Sequence, residues 1–209
     1  MKRAMGTILV LFCCTTLASA NSVSGQLAMT PITTGFGPFS DNDNNGWAFT
    51  ADSPFFVTGL SAYDVGANGF GGDMQVTLWS HSTQTLLASA IIPAAGDGTA
   101  WPTTAITPLA LQAGNEYSVA AARIDLNAEM WGRWANSDVS FMAPVSGTRQ
   151  VYGSVAGLFP ASDGQPRDGF TSAGGNFTFT TSGAVPEPIT LALFSLAACG
   201  LGTYVRRRV

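Results

Sequence analysis

Met74-Gln75-Val76-Thr77-Leu78-Trp79 places Met74, Val76 and Leu78 on one side of an extended chain and Gln75, Thr77 and Trp79 on the other. A period of two is the signature of a strand with one buried face. Directly after it comes the polar hinge Ser80-His81-Ser82-Thr83-Gln84-Thr85, then an apolar run from Leu86 to Ile92 that Pro93 ends. Two such runs around a short polar hinge predict an antiparallel hairpin.

The same punctuation repeats outward from this hairpin. Phe55 to Tyr63 reads as a strand bounded by Pro54 and Asp64. Leu109-Ala110-Leu111, the turn residues Gln112-Ala113-Gly114-Asn115 and Tyr117-Ser118-Val119-Ala120-Ala121 predict a second hairpin. Asn176-Phe177-Thr178-Phe179-Thr180-Thr181 alternates aromatic and β-branched polar side chains, as a closing edge or core strand does. Ile124 to Trp134 reads as a helical turn or a long loop, and Asn136 to Gly175 has little legible pattern. Short strands at this spacing predict an all-β sandwich of jelly-roll type.

Composition agrees. Of 209 residues, 46% are apolar and 11% charged, well below the roughly 25% charged of ordinary globular chains. That excludes a charge-rich disordered chain and a coiled coil. The 24 glycines follow no three-residue period, which excludes collagen.

The two ends carry a different kind of signal. Lys2 and Arg3 precede an uncharged stretch from Ala4 to Leu17, which Ala18-Ser19-Ala20 follows. A positive start, a short apolar run and Ala18 and Ala20 at an A-x-A site predict a secretory signal peptide over residues 1–20, read by the Sec export machinery. At the other end, Ile189 to Val205 is apolar, with Val185-Pro186-Glu187-Pro188 before it and Arg206, Arg207 and Arg208 after it. Seventeen residues make about 25 Å of helix, enough for a short transmembrane span. The arginines hold its end in the cytoplasm, so the remainder lies outside.

Val185-Pro186-Glu187-Pro188, a short apolar span and a terminal arginine cluster together resemble a PEP-CTERM protein-sorting signal, here over residues 184–209. The resemblance implies a Gram-negative-type bacterial envelope protein recognised by an exosortase near Pro186-Glu187-Pro188. The tail is then removed, and the body is released or held at the cell surface, often in a matrix rich in exopolysaccharide. Some ice-binding proteins carry the same type of tail. A second resemblance rests on Gly46-Trp47-Ala48-Phe49-Thr50, Val57-Thr58-Gly59-Leu60, Val76-Thr77-Leu78-Trp79, Thr85-Leu86-Leu87-Ala88-Ser89-Ala90 and Leu111-Gln112-Ala113-Gly114-Asn115-Glu116-Tyr117. These are similar to a β-sandwich domain of unknown function that often precedes such tails, over roughly residues 44–125. Many of its sequences carry a His just before the Val-Thr-Leu-Trp strand. Here Met74-Gln75 stands there, so no role of that His transfers.

Between the addresses lies a 163-residue body, 21–183, the size of one domain. It has no Lys and no Cys, and its four Arg against twelve carboxylates give a net charge of −8. Such a body is repelled by nucleic acid, which excludes nucleic-acid binding, and without Cys it has no disulfide framework.

Few constellations carry chemistry. Asp41, Asp43, Asn45, a Gly at 46 and Asp52 have the spacing of a calcium loop, though Asp replaces the usual bidentate Glu at the twelfth position. Asp64 and Asp73 bracket a Gly-rich loop, better read as a flexible turn than as further oxygen ligands. His81, the single His, reads as a surface residue of the hairpin hinge, which leaves a Ser-His-Asp triad little material. Nothing in the spacing of Glu116, Glu129 and the aspartates selects a pair for glycoside chemistry. Trp131, Arg133 and Trp134, with Trp79 and Trp101, have the composition of a sugar-binding face, because a pyranose packs its apolar side on an indole. Asn176-Phe177-Thr178 matches a glycosylation sequon by accident of a strand.

The expectation is therefore a non-enzymatic, exported β-sandwich with a structural or adhesive role at the bacterial surface. The alternative is a carbohydrate-binding module, calcium-assisted through Asp41, Asp43 and Asn45. The weakest is an ice-binding protein, for which Thr178, Thr180 and Thr181 supply too few regularly spaced threonines.

Overall fold

A computed structural model of the chain describes residues 25–31, 44–124, 133–135, 138–153, 155, 157–163, 170–172 and 174–181. The expected signal peptide and C-terminal helix lie outside the described residues. So do Asp41, Asp43, Trp131 and the motif residues from Val185 to Arg208.

Among the described residues there are fourteen strands and no helix. They are β1 (Gln26–Leu27), β2 (Met29–Pro31), β3 (Asn44–Ala51), β4 (Phe55–Ala62), β5 (Met74–Ser80), β6 (Thr85–Ile92), β7 (Thr103–Leu111), β8 (Glu116–Arg123), β9 (Arg133–Ala135), β10 (Val139–Phe141), β11 (Val145–Gly153), β12 (Ser162–Asp163), β13 (Phe170–Ser172) and β14 (Gly175–Thr180). One sheet runs β1-β14-β4-β7 and the other β12-β11-β3-β8-β5-β6. Within them β1 pairs with β14, β3 with β8, β4 with β7 and β5 with β6, all antiparallel. Nesting first with last in this way is the wrap of a jelly roll. The stretch between β8 and β14, where the sequence had little pattern, is an insertion: β11 and β12 extend the second sheet beyond β3, while β9 pairs with β13 and β10 with β2.

The two sheets bury one aromatic core. Phe177 on β14 stacks on Trp47 and Phe55 at centroid distances of 5.6 and 5.9 Å, and Phe49 lies 5.1 Å away. Such pairs add about 0.5–1.5 kcal/mol each beyond their buried area. Trp47 also donates Nε1–H to the carbonyl of Gly175 across the interface (2.8 Å). At that point the sheets touch backbone to backbone. A Cβ at position 175 would lie 2.8 Å from the Ala120 carbonyl carbon, so only Gly fits.

The β5–β6 hairpin forms where the sequence predicts it, but the expected hairpin of β7 and β8 does not. β7 pairs with β4 in one sheet, and β8 pairs with β3 and β5 in the other. The turn Gln112–Asn115 carries the chain between layers and is tied to β3, with Gly114 N–H donating to the Ala51 carbonyl and Ala51 N–H to that of Asn115. Turn residues specify a reversal of direction; the burial of Tyr117, Val119 and Ala121 in the core decides the partner.

The expectation that Gln75, Thr77 and Trp79 line a solvated face is also corrected. Thr77 is 1% exposed and Trp79 7%. Residues beyond β11 fold back over this outer face, where Phe159 meets Trp79 edge-on at 5.8 Å and the Leu158 carbonyl accepts from Asn44 Nδ2 at 2.6 Å.

Candidate functional site

Strand register assembles one polar cluster on the outer face of the larger sheet. Arg149 on β11 stands opposite Ala48 on β3, which in turn stands opposite Ser118 on β8. Thr50 stands opposite Glu116, and His81 caps the end of β5 by donating its backbone N–H to the Glu116 carbonyl at 2.9 Å. Arg149 and Glu116 are thus two strands apart, about 10 Å at ordinary strand spacing. The methyl of Ala48 leaves the long guanidinium room to lie across β3.

There Arg149 donates through Nη1 to Glu116 Oε1 and through Nη2 to His81 Nε2 (2.9 Å). A guanidinium only donates, so Nε2 is the acceptor, and the ring proton sits on Nδ1 facing Ser118 Oγ at 2.5 Å. The hydrogen bond from Arg149 is the main reason that the Glu116 carboxyl is held below its ordinary range; partial burial opposes it, and the charge of Arg149 reinforces it. Phe159 packs edge-on against the imidazole at 5.3 Å.

This arrangement braces four strands and offers little to a substrate. Ser118 is fully buried, so it cannot act as a nucleophile, and the Nε2 lone pair that a general base would need is engaged by Arg149. His81 is therefore not the loop-surface residue expected from the sequence, since its side chain is 15% exposed. The cluster was invisible in the sequence because its members are 33 to 68 residues apart. The faint signal was Arg149 as one of only four basic residues in a Lys-free body.

Of the candidate ligands with calcium-loop spacing, the structure describes Asn45 and Asp52. Asn45 is buried near the start of β3, opposite Ala121 and Tyr152, while Asp52 follows its end and accepts from Ser146 Oγ. Seven residues of strand separate the two by roughly 20 Å. Calcium ligands converge within about 5 Å of each other, so this pair does not share an ion. No group of three or more His, Cys, Asp or Glu side chains converges on a metal position among the described residues.

Asp64 is fully buried and accepts from the Asn68 and Gly69 amides at 3.2 and 2.9 Å, while its own N–H reaches the Ala100 carbonyl. Asp73 accepts from the Ala94 amide at 2.9 Å. Both carboxylates organise the loops around them, so the Gly-rich loop is a held structure and not a loose turn. Trp79 and Trp101 are buried, the latter against Tyr63, which removes them from any exposed sugar platform. Arg133 and Trp134 lie on β9, paired with β13. Asn176 is buried and brackets Met29, accepting from its N–H at 3.2 Å and donating to its carbonyl at 2.8 Å.

Residues 184–208 match the PEP-CTERM protein-sorting motif. The chain thus carries the mark of an exported protein sorted through a membrane-anchored signal by an exosortase. Comparison with curated proteins finds no match. The motif begins three residues beyond Thr181, directly after the core strand β14.

Proposed function

We propose that this chain is a non-catalytic structural or adhesive component of the envelope or extracellular matrix, displayed after exosortase processing near Pro186-Glu187-Pro188. The observation that carries the reading is the junction at Thr181. β14 lies between β1 and β4 in the core of the sandwich, and the sorting motif follows with almost no linker. Cutting near Pro186 leaves every strand intact, and until that cut the body is held within about 25 Å of the membrane by the reach of the seven residues between Thr181 and Ile189. An enzyme needs an accessible reactive centre, whereas the polar cluster of this sandwich spends its groups on one another. The acidic, Lys-free surface suits life among polysaccharide and water more than contact with anionic lipid.

Mass spectrometry of the native product tests the sorting step. A C-terminus between Pro186 and Pro188 is expected, and an intact Arg208-Val209 end overturns it. The structural role is tested by comparing cohesion of the cell-surface matrix with and without the chain. Unchanged cohesion overturns that role.

A further inference from the structure

The two main sheets have four edges, and three of them are blunted. β1 and β12 are two residues long. β7 carries Pro108, and its ladder with β4 is broken by a register shift between Val57 and Gly59. Short strands, prolines and bulges are the devices by which sandwiches avoid pairing with other chains. The fourth edge, β6, is neither short nor interrupted by proline, and its one irregularity is the register shift opposite Leu78 and Trp79. It runs for eight residues, Thr-Leu-Leu-Ala-Ser-Ala-Ile-Ile, with no charge and no proline, and it is the terminal strand of its sheet among the described residues. Its far end is covered, where Thr104 Oγ1 donates to the Ile91 carbonyl at 2.8 Å. Two of its large apolar side chains, Leu86 and Ile91, are 45% and 43% exposed.

We propose that β6 is a self-association edge, at which a second copy of this chain adds its own β6 antiparallel about a two-fold axis. Charge selects the partner. The body carries −8, so two copies meeting over most of its surface bring carboxylates together. From Thr85 to Leu111, the segment that forms β6 and β7, Asp97 is the only charged residue. Here like can approach like without repulsion. Register completes the fit. Leu86, Ser89 and Ile91 stand opposite Trp79, Thr77 and Gln75 and therefore share the outer face, with a bulge between Leu78 and Trp79 restoring the alternation. An antiparallel two-fold pairing places Leu86 of each copy beside the Ile91 end of the other, with Ser89 close to the axis. The ladder supplies unpaired backbone groups, and the leucine and isoleucine side chains supply apolar area.

This deepens the structural reading by naming a mode of assembly, and rests on it only for biological purpose. The test uses the full chain in cells with Cys13, Cys14 and Cys199 replaced by Ser, and a single cysteine introduced as Ser89→Cys or, for comparison, Thr107→Cys on the β7 edge. A short bismaleimide is expected to link the Ser89→Cys chain into dimers at least about tenfold more efficiently, the factor that roughly 1.4 kcal/mol of pairing yields. Adding Leu86→Lys, or Ile91→Lys where the first variant lowers the melting temperature, is expected to bring linking down to the Thr107→Cys level. Equal linking at both positions, or linking that survives the lysine in a folded chain, overturns the proposal. A chain that stays at the surface but fails to link refutes the pairing alone; one that links but leaves matrix cohesion unchanged refutes the structural role alone.

Discussion

Arg149 on β11 reaches over Ala48 of the intervening strand and donates to Glu116 on β8, joining two strands that do not touch in the ladder. The contact is half-exposed, each side chain retaining 31% of its surface, so its worth is modest, about 1 kcal/mol. Its pH dependence has a definite sign. Glu116 is held below its reference value of 4.5, so the stabilisation is complete above that value and fades as pH falls through the lower folded value. Thermal melts of the native chain and Glu116→Gln are expected to differ by a few degrees at pH 7 and to converge as the pH is taken well below 4.5. A difference that persists undiminished in acid contradicts the assignment.

Asp64 is the hub of the loop between β4 and β5. Its replacement by Ala removes the acceptor of the part-buried hydrogen bonds from the Asn68 and Gly69 amides, which costs about 1–2 kcal/mol and lowers Tm by roughly 2–8 °C. Gly96 sits at φ +60° with its missing Cβ 2.9 Å from Asp64 Oδ2, so Gly96→Ala is expected to destabilise through the same hub. Differential scanning calorimetry of the two single variants and the double variant checks this, with less than additive losses expected.

Phe177 touches Trp47, Phe49, Phe55 and Phe179 at the centre of the sandwich. Phe177→Ala opens a cavity between the sheets and is expected to cost about 3–5 kcal/mol, read from the urea midpoint at unchanged m-value. By contrast Ser89→Ala, on the exposed β6 edge, is expected to stay within about 0.5 kcal/mol.

Asn45 and Asp52 sit at opposite ends of a strand, so calcium has no shared purchase on them. Millimolar calcium, or its removal with a chelator, is expected to leave Tm unchanged. A rise of several degrees that Asp43→Ala abolishes contradicts this.

The strands themselves were legible because alternation is a local property: β4, β5, β6 and β14 stand where a period of two and the flanking Pro, Asp and polar hinges put them. The C-terminal address was legible for the same reason, since a Pro-Glu-Pro step, an apolar run and an arginine cluster are read in one short window. Partnership was not. Whether β8 follows β7 into its sheet or crosses to lie between β3 and β5, whether Trp79 faces water or Phe159, and whether His81 stands alone or joins Arg149 and Glu116 all depend on groups far apart in the chain. Ladder register multiplies one choice of neighbour across a whole face, so a single long-range pairing decides every side-chain contact on it. Amino-acid order therefore determined those strands and the sorting address, and tertiary packing alone decided the pairing of the strands between β8 and β14, which faces are covered and which edge is left open.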